Sequence, residues 1–273
     1  MRVVKTRLWP PIARSAMAPA AWFFALVWVA AVAMLVVRGY TDRAEGAPVI
    51  LVPLLFFCWL TALLTDDPPE AELPPGTRPR VWMQVAAVIA IAAGIEVAVF
   101  AGALPFGIPA WIGVPVLELV IPLVVLLVLG ARLRELGFGP GHHVGRVLLL
   151  WCAPQLLNVL ISGGGAHPLQ LLLHFIRNGL QNGPVEEFLF RGALQTRLTL
   201  LLGAGWGLVL SAVTFGLWHT GANVRIETHG DVISAACVGV ISQAPFGLAF
   251  GLILLRTRNL LAGSVFHMLV DLP

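Results

Sequence analysis

Five nearly uninterrupted apolar runs fill the first 161 residues, at Ala18–Val37, Val49–Leu64, Val81–Leu104, Trp111–Gly130 and Val144–Ile161. About 20 such residues cross a bilayer as a helix. In hydrocarbon every backbone N–H and C=O must find a partner within the protein, so a chain of this kind is restricted to helices or a closed barrel. Charged residues make up 11% of the chain and hydrophobic residues 58%, where a soluble domain carries about 25% charge. The expected fold class is all-α, a polytopic membrane protein with about eight transmembrane helices.

The connections between the runs fit that reading. Thr65–Arg80 is rich in Pro, Asp and Glu, and Arg132–Gly141 is polar and glycine-rich, so both read as exposed loops. Met1–Met17 carries Arg2, Lys5, Arg7 and Arg14 with no acid. By the positive-inside rule the N-terminus is expected in the cytoplasm, with the first run retained as an anchor. Arg132, Arg134 and Arg146 put the second loop on the same side. The net charge of +3 reflects basic loops facing an anionic leaflet, and the scattered basic residues bring no nucleic-acid module with them. Cys58, Cys152 and Cys237 all lie in apolar runs, odd in number and without C-x-x-C spacing, and read as small buried residues. The expected location is an integral membrane protein of a bacterial cytoplasmic membrane, with the lipid bilayer and a peptide or protein substrate as partners.

Ser162-Gly163-Gly164-Gly165-Ala166 divides the chain into an N-terminal transmembrane region, residues 1–162, and a C-terminal region, residues 168–273. Helices are expected there over Pro168–Leu180, Pro184–Leu202, Trp206–Thr220, Val232–Leu255 and Leu260–Leu269. Whether the first of these crosses the membrane is left open. All the groups with catalytic potential lie in this half.

Glu186 and Glu187 are adjacent, and Arg191 follows Glu187 by one helical turn. Ionisable residues at membrane depth cost about 2.5–3.5 kcal/mol each on insertion scales and mark function. Glu187 and Arg191 share a helix face and can pair. Glu186 points about 100° away and stays available for chemistry. Pro184 suits the first turn of the helix, where its dipole favours both carboxylates. His219, His267 and Asp271 are polar groups in further apolar helices, and His267 and Asp271 share one face. A carboxylate and an imidazole around one water suffice for general-base hydrolysis. Two histidines and a carboxylate (His219, His267 and Glu186) equally make a catalytic zinc set with an open position for water. A divalent metal such as Zn²⁺ and a metal-free glutamate mechanism are therefore both open, as are a structural polar network and an ion pathway.

Glu186-Glu187-Phe188-Leu189-Phe190-Arg191-Gly192 resembles the E-E-x-x-x-R-G motif of the CAAX-protease and bacteriocin-processing (CPBP, or Abi) family of intramembrane proteases. Phe215-x-x-x-His219 and His267-x-x-x-Asp271 resemble its second and third motifs, F-x-x-x-H and H-x-x-x-N/D, in the same order. The resemblance begins near Gly183 and leaves the first five runs untouched. It implies an endopeptidase in which Glu186 activates water with His219 as partner. His267 and Asp271 then bind metal, water or the oxyanion, and Glu187 and Arg191 form a supporting pair. The implied reaction is removal of the last residues of a CAAX-type C-terminus, or cleavage of a bacteriocin-like substrate.

Two departures stand out. Asp271 occupies a position where many relatives carry an amide, so an oxyanion role requires it to be protonated. Only Leu272 and Pro273 follow it, so the last helix is expected to lack a turn that holds it. The alternatives are a non-enzymatic membrane protein, such as an immunity factor or scaffold, and an ion-coupled carrier. Among other polar residues, Glu96 and Glu118 are expected to pair with neighbouring helices. Asn223 is expected to hydrogen-bond within the site, His174 and Arg177 to be interfacial, and His142 and His143 to be solvated.

Overall fold

Apolar runs in a bilayer have one local solution, and the chain adopts it: among the described residues there are helices and no strands. The computed structural model describes residues 18–66, 73–101, 110–162 and 167–272. Expectations for Met1–Met17, the acidic stretch beyond Asp66, the end of the third run at Leu104, Gly163–Ala166 and Pro273 lie outside the described residues.

In chain order, α1 is Ala18–Val37, α2 Thr41–Leu64 and α3 Arg78–Phe100. Helix α4 runs from Ala110–Pro115 through a π-helical stretch, Val116–Val120, into Ile121–Val128. A 3₁₀ turn at Leu133–Leu136 leads to α5, Val144–Ser162, and α6 is Pro168–Gln181. Helix α7 joins Gly183–Glu187, the π-helical Phe188–Gln195 and Thr196–Leu202. Then come α8, Ala204–Trp218, and α9, Thr220–Ile226. Helix α10 joins Val232–Val238, the π-helical Gly239–Gln243 and Ala244–Thr257, and α11 is Leu261–Val270.

Five described helices have the length and hydropathy to cross a bilayer: α1, α2, most of α3, α5 and α10. About eight were expected, and the remainder fall short for physical reasons. Helix α7 carries four charged residues (Glu186, Glu187, Arg191 and Arg197). Helix α6 has 14 residues, about 21 Å at 1.5 Å per residue, against a hydrocarbon core of about 30 Å. It cannot span alone. Its Leu169, Leu172, Leu173, Ile176 and Leu180 form an exposed apolar stripe, with His174 and Arg177 exposed beside it.

Burial separates the centre from the rim. The most apolar window of α10 is 67% buried, whereas those of α1, α2, α3 and α5 are 17–33% buried. Outward side chains on the rim such as Trp22, Leu26, Val49 and Leu149 are exposed, which suits a lipid surround. Helix α10 packs against α8, α2, α1 and α11, while α3 packs against α7 and α9, and α5 against α11. The N-terminal helices thus wrap the C-terminal ones directly.

The two ends of the bundle are tied differently. At one end Arg146 donates to the Leu64 carbonyl, Arg78 to that of Leu201 and Gln84 to that of Leu129. At the other, Arg38 forms two 2.9 Å hydrogen bonds to the Asp231 carboxylate, and Arg43 pairs with Glu227.

Candidate active site

The glutamate pair sits where α7 begins. Asn182 occupies the N-cap position and Pro184 the first turn, and the Glu186 N–H donates to the Asn182 carbonyl at 2.8 Å. Gly183 is required by contact. A Cβ there would lie 2.6 Å from Met268 Cγ and 2.8 Å from the Ser264 carbonyl oxygen. Without a side chain at Gly183, α7 approaches α11 closely enough for the two helices to share polar groups.

Glu187 and Arg191 are both fully buried and face each other, with Nε 3.4 Å from Oε2. The guanidinium also lies 4.2 Å from the centre of the Phe215 ring and 5.2 Å from that of Phe250. Aromatic faces attract a desolvated cation and so contribute to holding this charge. Glu187 Oε1 accepts a hydrogen bond from His267 Nδ1 at 3.0 Å. One carboxylate therefore joins an arginine on its own helix to a histidine on α11. Glu186 is turned away, and its Oε2 is buried with no hydrogen-bond partner.

Each imidazole has one nitrogen committed. A backbone carbonyl only accepts, so the 2.8 Å contact between His219 Nδ1 and the Phe215 carbonyl puts a hydrogen on Nδ1. The neutral ring then offers an Nε2 lone pair. His267 donates Nδ1–H to Glu187, and its Nε2 stands 3.8 Å from Glu186 Oε2 and 3.7 Å from Asp271 Oδ2. The ring within ion-pair distance of Glu186 is thus His267, on α11. Phe215 links the two rings, edge-on to His219 at 4.7 Å and to His267 at 6.1 Å, and Phe250 stacks on His267 at 4.6 Å.

Asp271 is held, contrary to the expectation from its place near the end of the chain. Its Oδ2 accepts from Asn182 Nδ2 at 2.7 Å, and its backbone carbonyl accepts from Asn178 Nδ2 at 3.1 Å. Asn178 and Asn182, both before the glutamates, supply that support. As an acceptor from an amide, the carboxylate has no need of a proton.

These groups surround a cavity of about 290 Å³ lined by Glu186, His219, His267 and Asp271 together with Asn182, Phe215, Ser242, Gln243, Phe246, Phe250 and Val270. Three of the polar lining residues, Asn182, Ser242 and Gln243, lie outside the three motifs. Ser242 and Gln243 close the π-helical stretch of α10, and another π-helical stretch begins directly after Glu187. Such bulges frequently occur at functional sites because they re-aim side chains within a helix. A π stretch in sequence carries no pattern distinct from an α-helix, so Ser242 and Gln243 had no signal.

A zinc site would take Glu186, His219 and His267. The unpartnered Glu186 Oε2 and the His219 Nε2 lone pair are suitable donors. Among the described residues, however, no three His, Cys, Asp or Glu side chains are grouped so as to hold a metal ion.

The remaining polar residues fall away from the cavity wall. Glu96 accepts from the backbone N–H of Gly221, at the start of α9, and Trp218 donates to the Ala92 carbonyl at 3.2 Å. Helix α3 thereby grips the chain on both sides of His219. Asn223 donates to the Ala235 carbonyl at 3.3 Å, so it ties α9 to α10 and is not a lining residue. Glu118 is buried in the π-helical stretch of α4, with Oε2 lacking a hydrogen-bond partner, and that stretch packs on the start of α7. His142 is exposed. The three cysteines are free thiols and only half-buried.

Residues 168–273 match the family model described as type II CAAX prenyl endopeptidase Rce1-like. The match covers every motif residue of the site and leaves residues 1–167 outside it. No curated protein and no solved structure matches the chain.

Proposed function

We propose that the protein is a membrane-embedded endopeptidase that hydrolyses a peptide bond near the C-terminus of a CAAX-type substrate. In this reading a water sits between Glu186 and His219. The observation that carries it is the division of labour within the glutamate pair. Glu187 is neutralised by Arg191 and tied to His267, while Glu186 keeps an unpartnered carboxylate oxygen beside a cavity shared with both histidines. The family match over residues 168–273 supports the same class of reaction.

One O–H of the water donates to Glu186 Oε2 and the other to His219 Nε2, which aims an oxygen lone pair at the scissile carbonyl. As the oxygen–carbon bond forms, the first proton passes to Glu186, and the carbonyl oxygen gains the negative charge. Ser242 and Gln243 bring a hydroxyl and an amide N–H to the same cavity as donors for that oxyanion. The carbon–nitrogen bond then breaks, and Glu186 delivers its proton to the leaving nitrogen and returns to the carboxylate. His267, anchored through Nδ1, stands with Nε2 at ion-pair distance from Glu186 and Asp271 and attracts both carboxylates when Nε2 also carries a proton. No step requires a metal.

The test uses purified protein in liposomes with a peptide ending in a prenylated Cys and three further residues, and mass spectrometry to detect the released tripeptide. Wild type is expected to cleave, with or without chelator, and Glu186→Gln to lose about 10²–10⁴-fold in rate while inserting normally. Retained cleavage in that variant would sink the assignment of Glu186. Loss to chelator with recovery on adding zinc would sink the metal-free route. No cleavage by wild type would favour a non-enzymatic protein.

A further inference from the structure

A concavity lined by charged side chains lies away from the glutamates. A second cavity, about 380 Å³, is lined by Arg80, Arg134, Arg197 and Arg258, with Glu135 the one carboxylate among its described lining residues. The four arginines reach it from four separate segments: α3, the turn before α5, α7 and the turn after α10. Arg197 follows Glu186 by eleven residues on α7, about 16 Å along the axis. The two cavities are therefore distinct.

Arg197 is engaged by Glu135: its Nη1 donates to Glu135 Oε2 at 3.0 Å and its Nη2 to the Glu135 backbone carbonyl at 3.1 Å. Arg197 is almost fully buried, so this pair is a fixed part of the wall. Arg80 and Arg134 are exposed at the mouth. Gly130 holds space for Arg80, since a Cβ there would come within 3.0 Å of its Nη1. Gly130 also has φ of +80°, a conformation that disfavours any other residue.

Depth decides the kind of ligand. The cavity lies among the ends of helices long enough to cross the bilayer: α3 begins at Arg78, and α10 ends at Thr257. Span ends lie at headgroup level. Guanidinium groups bind phosphate oxygens through paired N–H donors, and basic pockets between membrane helices take phosphorylated headgroups. Leu200 and Leu254 line the same cavity and suit the glycerol and first methylenes of a lipid. We propose that this cavity binds the phosphate of an anionic headgroup, with the lipid phosphodiester as the occupant and a soluble phosphate as the competing source. The site is independent of the protease reading.

The test is thermal unfolding of the full chain in neutral detergent micelles doped with phosphatidylglycerol or phosphatidylcholine, and separately with inorganic phosphate. Phosphatidylglycerol is expected to raise Tm by about 5 °C or more at a hundredfold excess over Kd, and phosphatidylcholine to leave it unchanged. R80Q/R134Q alters two exposed side chains and should fold; it is expected to lose the shift. R132Q/R177Q removes the same charge outside the cavity wall and is expected to keep it. A shift with inorganic phosphate alone, also lost in R80Q/R134Q, would assign a soluble phosphate to the site. An equal phosphatidylglycerol shift in wild type and R80Q/R134Q, or no shift at all, would overturn the proposal.

Discussion

His267 Nδ1 lies 3.0 Å from Glu187 Oε1, and through that contact the last helix is fastened to the second glutamate of the pair. The contact settles two orientations at once. It turns His267 Nε2 toward Glu186 and Asp271, and it leaves Glu187 fully engaged between a histidine and Arg191.

The engagement of Glu187 makes Arg191 structural. Arg191→Ala would leave a fully buried carboxylate without its cation and is expected to cost about 3–5 kcal/mol. Replacing both partners, Glu187→Gln with Arg191→Met, removes both charges and should recover most of that loss. Unfolding in mixed micelles measures the difference; equal stabilities of the single and double variants would refute the coupling.

Helix α3 acts on His219 from outside the cavity. With Glu96→Ala the grip on Gly221 is released while every lining residue remains. The expected result is a fall in kcat of about 10–100-fold with KM little changed, since misplacement by about 1 Å costs of that order. Glu96→Gln retains an acceptor for the Gly221 N–H and should keep most of the activity. Equal loss in both variants would count against a positioning role.

The closest approach of α8 and α10 is made by two glycines. A Cβ on Gly239 would lie 2.1 Å from the Gly216 carbonyl oxygen, a backbone atom that cannot move aside alone. Gly239→Ala is expected to destabilise by about 1–3 kcal/mol or more. Gly94→Ala, on α3 with nothing within 4 Å of its Cβ, should stabilise by up to about 1 kcal/mol. Thermal melts of the two variants in the same detergent would test the contrast, and a Gly239→Ala protein as stable as wild type would contradict the packing.

Asp231 predicts a pH dependence at the other end of the bundle. Hydrogen bonds from Arg38 and Ser234 hold its carboxyl well below the ordinary carboxylate range. The ionised form is thus favoured in the folded protein. Its contribution is fully present above the unfolded aspartate pKa of about 3.9 and is lost as pH falls through the lower folded value. The Tm advantage of wild type over Asp231→Asn should be constant from neutral pH down to about 5 and shrink steadily below about 4. An advantage that persisted unchanged at pH 2–3 would rule out this linkage.

Much of the helical class was legible because it rests on a local rule. A run such as Ala18–Val37 has no partner for its backbone in lipid except itself, so its conformation follows from its own residues. The Glu187–Arg191 pairing is of the same kind, being set by the pitch of one helix. The span count was less legible, because α6, α8 and α11 are short and their depth depends on what they pack against. Asn223 was misread for a related reason: one turn from His219 along the chain, it faces the Ala235 carbonyl once α9 meets α10.

Sequence alone determined that this chain is a bundle of membrane helices, with the motif-bearing Glu186, Glu187, Arg191, His219, His267 and Asp271 all in its C-terminal part and Glu186 and Glu187 facing different ways. Those properties depend on hydropathy and on residue spacing within single helices. Only the tertiary structure decided that His267 joins Glu187 while standing beside Glu186, that Asn182 holds Asp271, and that Ser242 and Gln243 face the same cavity. It alone placed Glu96 behind His219 and brought four arginines together at the opposite end. Each of these requires helices far apart in sequence to meet at a given depth and rotation. That is set by which glycines allow close approach and where the π-helical stretches turn the faces, neither of which a hydropathy pattern records.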